Sequence, residues 1–263
     1  MSNSLPLKNR MDEIDFIKGV MIFLMVMYHI HYVDLIKPFM SFLHLFRMPV
    51  FLFFTGFLLN MNKPFRVRIN TIFRSLIIPY IVFEIIYILS LYLATQRTGL
   101  KFQNSVTDLS VEYVLGALFV NPIGAYWYLH TITQCLLIIN LVSEKVSNQI
   151  NVTIISGIVL YLISMAFSGF KFENCLFLLI GYYFKRFSIF IPFTIISILP
   201  ILLIAFICFE TAKRSPTESI ALTFFTIPFL GALFKYVDKI TITHIISLFR
   251  RNTLIIFLLH PFF

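Results

Sequence analysis

Asp15, Lys18 and His29 stand inside an otherwise apolar run, Ile14-Asp15-Phe16-Ile17-Lys18-Gly19-Val20, which continues to Tyr28-His29-Ile30-His31. On a helix, Asp15 and Lys18 are one turn apart and can pair. Lys18 and His29 are eleven positions apart. At 100° per residue that is three turns plus about 20°, so the two share a face, about 16 Å apart along the axis. Asp15, Lys18, Ile22, Val26 and His29 therefore form one stripe. An imidazole titrates near neutrality and can move a proton, while an ammonium group holds an anion. Interfacial anchoring explains Asp15 or Lys18 singly, and a hydrogen bond to a neighbouring helix explains His29. All three on one stripe point to a functional face, because ionisable groups inside a membrane are expensive. His31 points about 200° away from His29, so the two imidazoles do not readily share an ion, and no metal is expected.

Further candidates follow along the chain. Arg47 stands directly before Met48-Pro49, in a run that ends Thr55-Gly56-Phe57. Pro49 suits the first turn of a helix, where its missing amide hydrogen is no loss. Arg47 beside it suits an interface with water or a substrate anion, and Thr55-Gly56 is a thin spot for close approach of a helix or ligand. Arg74 precedes Pro79-Tyr80, and Glu84 follows one turn later at lipid depth, needing a partner that the sequence does not identify. Arg74 is equally explained as a snorkelling anchor. Tyr126, Trp127 and Tyr128 open another apolar run and also fit an aromatic belt. His260 lies deep in the last apolar run, after Leu258-Leu259.

The elements that must carry these residues are membrane helices. Hydrophobic residues make up 59% of the 263 and charged residues only 13%. Soluble domains have about 45–50% and about 25%, so too little polar surface exists to coat a water-soluble globule. Runs long enough to span, about 17–25 residues, are 14–33, 39–60, 76–95, 122–142, 150–168, 172–188, 189–209 and 219–236, with a last stretch at 252–263. The first has polar interruptions and no small-residue cleavage site, so it is not a signal peptide. Residues 111–120 are too short to span and are expected to lie along the interface or re-enter the bilayer; residues 240–249 share that ambiguity. No internal repeat and no long loop appear. The expectation is one all-α polytopic transmembrane helix bundle over 1–263, with about 8–10 spans.

Lys and Arg total 21 against 12 acids. Nucleic-acid binders gather such an excess on a solvated face. Here the cations sit in short clusters between apolar runs, including a basic 63–74 loop, and most fall on one side if the N-terminus is cytoplasmic. Nucleic acid is therefore not an expected partner, and the N-terminus is placed in the cytoplasm. Cys135, Cys175 and Cys208 lie in or beside apolar runs without metal-like spacing and read as small buried hydrophobes.

Taken in order, these motifs resemble the acyltransferase-3 family of bacterial integral-membrane acyltransferases, in particular its sugar O-acetyltransferases. The family opens with an acid, then a basic residue and a histidine; here these are Asp15, Lys18 and His29, with Lys where Arg is usual. Arg47-Met48-Pro49 through Thr55-Gly56 matches its Met-Pro-aromatic second element, and Arg74 with Pro79-Tyr80 its third. Trp127-Tyr128-Leu129 and Leu258-Leu259-His260 match two later ones. Lys18 keeps the charge of Arg but loses the planar fork. The family also continues beyond the late histidine, so the resemblance implies a short or C-terminally truncated member.

The resemblance implies transfer of an acyl group, most often acetyl, from acyl-CoA to a sugar hydroxyl, in a multi-pass protein of the bacterial cytoplasmic membrane. It implies no metal, and as partners the lipid bilayer, acyl-CoA and a saccharide acceptor. His29 is then the general base or a transient acyl acceptor, with Asp15 and Arg47 beside it in catalysis and Arg47 on the oxyanion. Lys18 and Arg74 take the CoA phosphates, while Trp127, Tyr128 and His260 contact the sugar. The rival reading from another class is a transporter or flippase for a lipid-linked sugar. Such proteins more often show internal repeats and broken helices in matching halves. A polysaccharide polymerase would carry larger extramembrane loops than this chain has.

Overall fold

The computed structural model describes residues 7–29, 37–98, 106–167, 169–189, 191–211, 216–237 and 253–259. His31, the 240–249 stretch and His260 lie outside the described residues. All regular structure among those described is helical. The helices are α1 (Leu7–His29), α2 (Lys37–Phe57), α3 (Phe65–Ile72), α4 (Ile78–Thr98), α5 (Val111–Phe119), α6 (Trp127–Lys145), α7 (Gln149–Ala166), α8 (Phe172–Arg186), α9 (Ile198–Thr211), α10 (Pro216–Val237) and α11 (Thr253–Leu259).

Among the described residues, four helical stretches are long and apolar enough to cross a membrane: Phe65–Arg97, Gly124–Lys145, Gln149–Ala166 and Glu218–Val237. The protein is an all-α, multi-pass membrane helix bundle. Outward apolar faces suit lipid contact. On α7, Ile154, Ile158, Leu162 and Met165 recur at helical spacing and are exposed, while Val152, Ser156 and Leu160 on the opposite face are buried. α8 has 15 residues. At 1.5 Å per residue that is about 22 Å, so the expected span at 172–188 falls short of a hydrocarbon core about 30 Å thick.

Two local expectations are corrected. The basic 63–74 stretch is not a loop, because α3 begins at Phe65 and runs through a π turn, Phe73–Ile77, directly into α4. The π turn has a local cause. Pro79 has no amide hydrogen for the Ser75 carbonyl, and the helix widens just before it, the Ile78 amide donating five residues back to the Phe73 carbonyl. The 33 residues of Phe65–Arg97 make about 50 Å of helix, so this rod outlasts the bilayer and carries its arginines on a helical end.

Pro49, read as a first-turn residue, lies in the interior of α2. An interior proline strips the carbonyl four residues back, here Leu45, of its amide donor. The Ser219 hydroxyl of α10 donates to that carbonyl, which is how membrane helices tolerate interior proline.

The chain divides into two compact units, residues 1–54 with 188–261, and residues 55–187. In the first, Ile17, Met21 and Ile22 of α1 are buried, the Phe16 ring meets Phe234 of α10 at 5.3 Å, and Phe53 of α2 meets Phe224 at 6.3 Å. In the second, α6, α7 and α8 bury Cys135, Ile139, Leu160, Leu178 and Tyr182. Cys135 and Cys175 are free and buried, as small apolar residues would be; the Cys208 side chain lies outside the description. Gly56 lets α8 approach closely, since a Cβ there would run into the Leu178 carbonyl. The thin spot expected at Thr55-Gly56 is therefore filled by a helix.

Candidate active site

α1 is unbroken from Leu7 to His29, so its backbone keeps Asp15, Lys18 and His29 in the helical register that places them on one face. Asp15 and Lys18 are both half-buried, and Asp15 is the charge that acts on Lys18. His29 closes the helix, and its side chain lies outside the description. Arg47 is 3% exposed, and its Nη1 donates to the Leu24 carbonyl of α1 at 3.4 Å. Leu24 is six residues after Lys18 and five before His29. The guanidinium thus docks on α1 about 9 Å of helix rise beyond the lysine and about 7.5 Å short of the histidine. Arg47 is no interfacial residue, as its position before Met48-Pro49 had suggested. It is a buried cation in the first unit, docked on α1 at the Leu24 carbonyl, about 200° round the helix from the middle of the stripe.

The other sequence-derived candidates belong to the second unit. Arg74 is exposed on the π turn. Trp127 is half-buried at the start of α6, its ring edge-to-face with Tyr128 at 6.1 Å. Tyr128 is 5% exposed, and its hydroxyl shares a hydrogen bond with the Thr55 side chain, so its ring is held inside the protein. The structure thus keeps Asp15, Lys18 and the His29 backbone in register on α1, with Arg47 docked on the other side of that helix, and separately sets Trp127 beside Tyr128. Of the basic residues before α4, Arg66 is exposed. Arg68 is committed to structure, with Nη1 on Met61 Sδ at 3.1 Å and on Ser143 Oγ at 3.4 Å, and Nη2 3.7 Å from Glu144.

A polar cluster in the second unit was not assembled from the sequence. Glu84 is fully buried, and its Oε1 accepts from the Ile123 amide at 2.7 Å. The Tyr80 hydroxyl, one turn earlier on α4, donates to the Leu118 carbonyl at 2.8 Å. His130 of α6 is 6% exposed, and its Nε2 lies 3.1 Å from the Phe119 carbonyl and 2.8 Å from Gln134 Nε2. The Tyr80 and His130 rings are 6.0 Å apart. One signal was available: His130 and Gln134, four apart in an apolar run, are polar neighbours on one helix face. The partner of Glu84 is a backbone amide in an irregular linker, and no side-chain pattern announces that. Among the described residues, no group of three or more His, Cys, Asp or Glu is placed to hold a metal ion.

Comparison with curated proteins and with solved structures returned no match. The acyltransferase-domain family model, Acyl_transf_3, matches residues 11–263. That match takes in the α1 stripe, Arg47 and the whole of the second unit, and the chain belongs to the acyltransferase-3 family.

Proposed function

We propose that this membrane acyltransferase moves an acyl group, acetyl in the first instance, from acyl-CoA to a hydroxyl of a cell-surface or lipid-linked saccharide at a bacterial cytoplasmic membrane. The observation that carries the reading is the polar stripe kept in register along α1, the helix on which the buried Arg47 also docks, in a chain whose family transfers acyl groups. Lys18, paired with Asp15, and the exposed Arg74 attract the phosphates of CoA from the cytoplasmic side. The pantetheine arm extends along the three helical turns between Lys18 and His29. His29 takes the acceptor's hydroxyl proton as that oxygen bonds to the thioester carbonyl carbon. Arg47 stabilises the tetrahedral oxyanion. The carbon–sulfur bond then breaks, and the CoA thiolate leaves and receives the proton, so the products are the acyl ester and free CoA. Trp127 offers a ring face to the sugar, the buried Tyr128 supports that ring, and His260 is a further acceptor contact.

The test is acetyl transfer from labelled acetyl-CoA in membranes carrying His29→Ala. Loss of transfer is expected, and transfer at the wild-type rate overturns the reading. Labelled CoA binding to Lys18→Ala checks the donor side, where unchanged affinity removes the role given to Lys18. Mass spectrometry of the surface glycan without the gene separates the classes. Loss of one acetyl-sized group supports the transferase, and loss of the whole polymer supports a flippase.

A further inference from the structure

Three side chains from two helices hold the last turn of α5 and the irregular backbone that follows it in the second unit. Tyr80 donates to the Leu118 carbonyl, His130 Nε2 meets the Phe119 carbonyl, and Glu84 accepts the Ile123 amide. That backbone leaves α5 at Phe119 and enters α6 at Trp127. It turns at Gly124, whose φ of +62° suits glycine and whose missing Cβ would sit 3.0 Å from the Tyr87 ring. The Tyr126 ring, fully buried, packs on the same Tyr87 at 5.5 Å.

The location makes this costly. Glu84 lies ten residues past Arg74, about 15 Å along an apolar helix, and thirteen before Arg97. Non-helical backbone at such depth leaves amides and carbonyls that lipid cannot satisfy. Ile88, Val106 and Ala117 close an apolar core beside the linker, with Leu109 and Ile123 against it, and the Glu84 side chain that meets the linker is fully buried. Burying a carboxyl group to hold a single amide is costly unless the position of that amide matters. Four residues beyond Ile123 stands Trp127.

We propose that Glu84 is a positioning residue for acyl transfer, acting through the Ile123 amide to set the Gly124–Trp127 turn and hence the Trp127 ring. Tyr80 and His130 fix the other end of the linker. The catalytic part rests on the reading that Trp127 faces the acceptor sugar; the geometric part does not. Glu84 Oε1 works as a hydrogen-bond acceptor, a role that glutamine's carbonyl oxygen also fills.

Trp127 is the chain's single tryptophan, so intrinsic emission of the full-length protein in membranes reads this turn directly. Glu84→Ala is expected to shift the emission maximum, to raise quenching by acrylamide severalfold, and to raise the acceptor KM about tenfold at a nearly unchanged acyl-CoA KM. That magnitude corresponds to one lost buried hydrogen bond. Glu84→Gln is expected to restore both emission and acceptor KM. Should Glu84→Ala fail to accumulate, Ile123→Pro removes the same bond from the amide side and is expected to act alike. Unchanged emission and quenching in Glu84→Ala, or a Glu84→Gln variant no better than alanine, overturns the proposal. Altered emission with an unchanged acceptor KM leaves the clamp standing and overturns the assignment of Trp127 to the acceptor.

Discussion

The two units hold their polar residues in opposite ways. In the first, Asp15, Lys18 and His29 hang from one continuous helix, and a single guanidinium from α2 meets that helix at a backbone carbonyl. In the second, Tyr80 and His130 hold the last carbonyls of α5, and Glu84 holds an amide of the non-helical linker that follows. A ruler positions the first set and a clamp the second. A ruler needs only regular spacing, and it places groups far apart along an axis, as a long donor substrate requires. A clamp needs three elements folded together, and it fixes one turn tightly, as a ring that must face a substrate requires.

Variants that strike the ruler should remove chemistry without disturbing the turn. His29→Ala is expected to lower acyl transfer by about 10²–10⁴-fold, the scale of a lost general base, with Trp127 emission as in the wild type. A changed emission would break the separation drawn between the two regions. Arg47→Ala should cost about 10²–10³-fold in kcat, as loss of an oxyanion donor does. Arg47→Lys should recover only part, since lysine keeps the charge without the fork; full recovery in a steady-state assay would reduce Arg47 to a simple counter-charge. Smaller effects fall on the scaffold. Ser219→Ala leaves the Leu45 carbonyl without its donor and should lower stability by about 1–3 kcal/mol, read as an earlier thermal transition in detergent. Glu144→Gln removes the ion pair to Arg68, but Glu144 is half exposed. The loss should stay below about 1 kcal/mol, and a larger one would mean that the basic end of the long helix is held more tightly than its geometry suggests.

The ruler was legible in the sequence because helical periodicity converts spacing into direction without knowledge of any neighbour. The apolar runs were legible for the same reason, since a span is a local property. Pro49 reads as a first-turn residue because a proline is placed by its nearest helix start, whereas its tolerance inside α2 depends on a hydroxyl 170 residues later, at Ser219. The basic 63–74 stretch reads as a loop in the sequence because charge density marks where a chain meets water and says nothing about its conformation there. Arg66, Arg68 and Arg74 satisfy the same rule on a helix that rises out of the bilayer. Glu84 announced itself as expensive but not as paired, because its partner is an amide, which every residue except proline possesses.

The bond between Ser219 and the Leu45 carbonyl also makes two distant positions depend on the order in which they change. A chain that first replaced Pro49 by alanine would regain a backbone donor for that carbonyl, and the serine would become dispensable. A chain that lost Ser219 first would pass through a less stable intermediate before the proline could go. Pro49→Ala and Ser219→Ala should therefore not add, and the double variant should tolerate more than Ser219→Ala alone. The proline and the serine form a coupled pair, in which one residue keeps the other necessary.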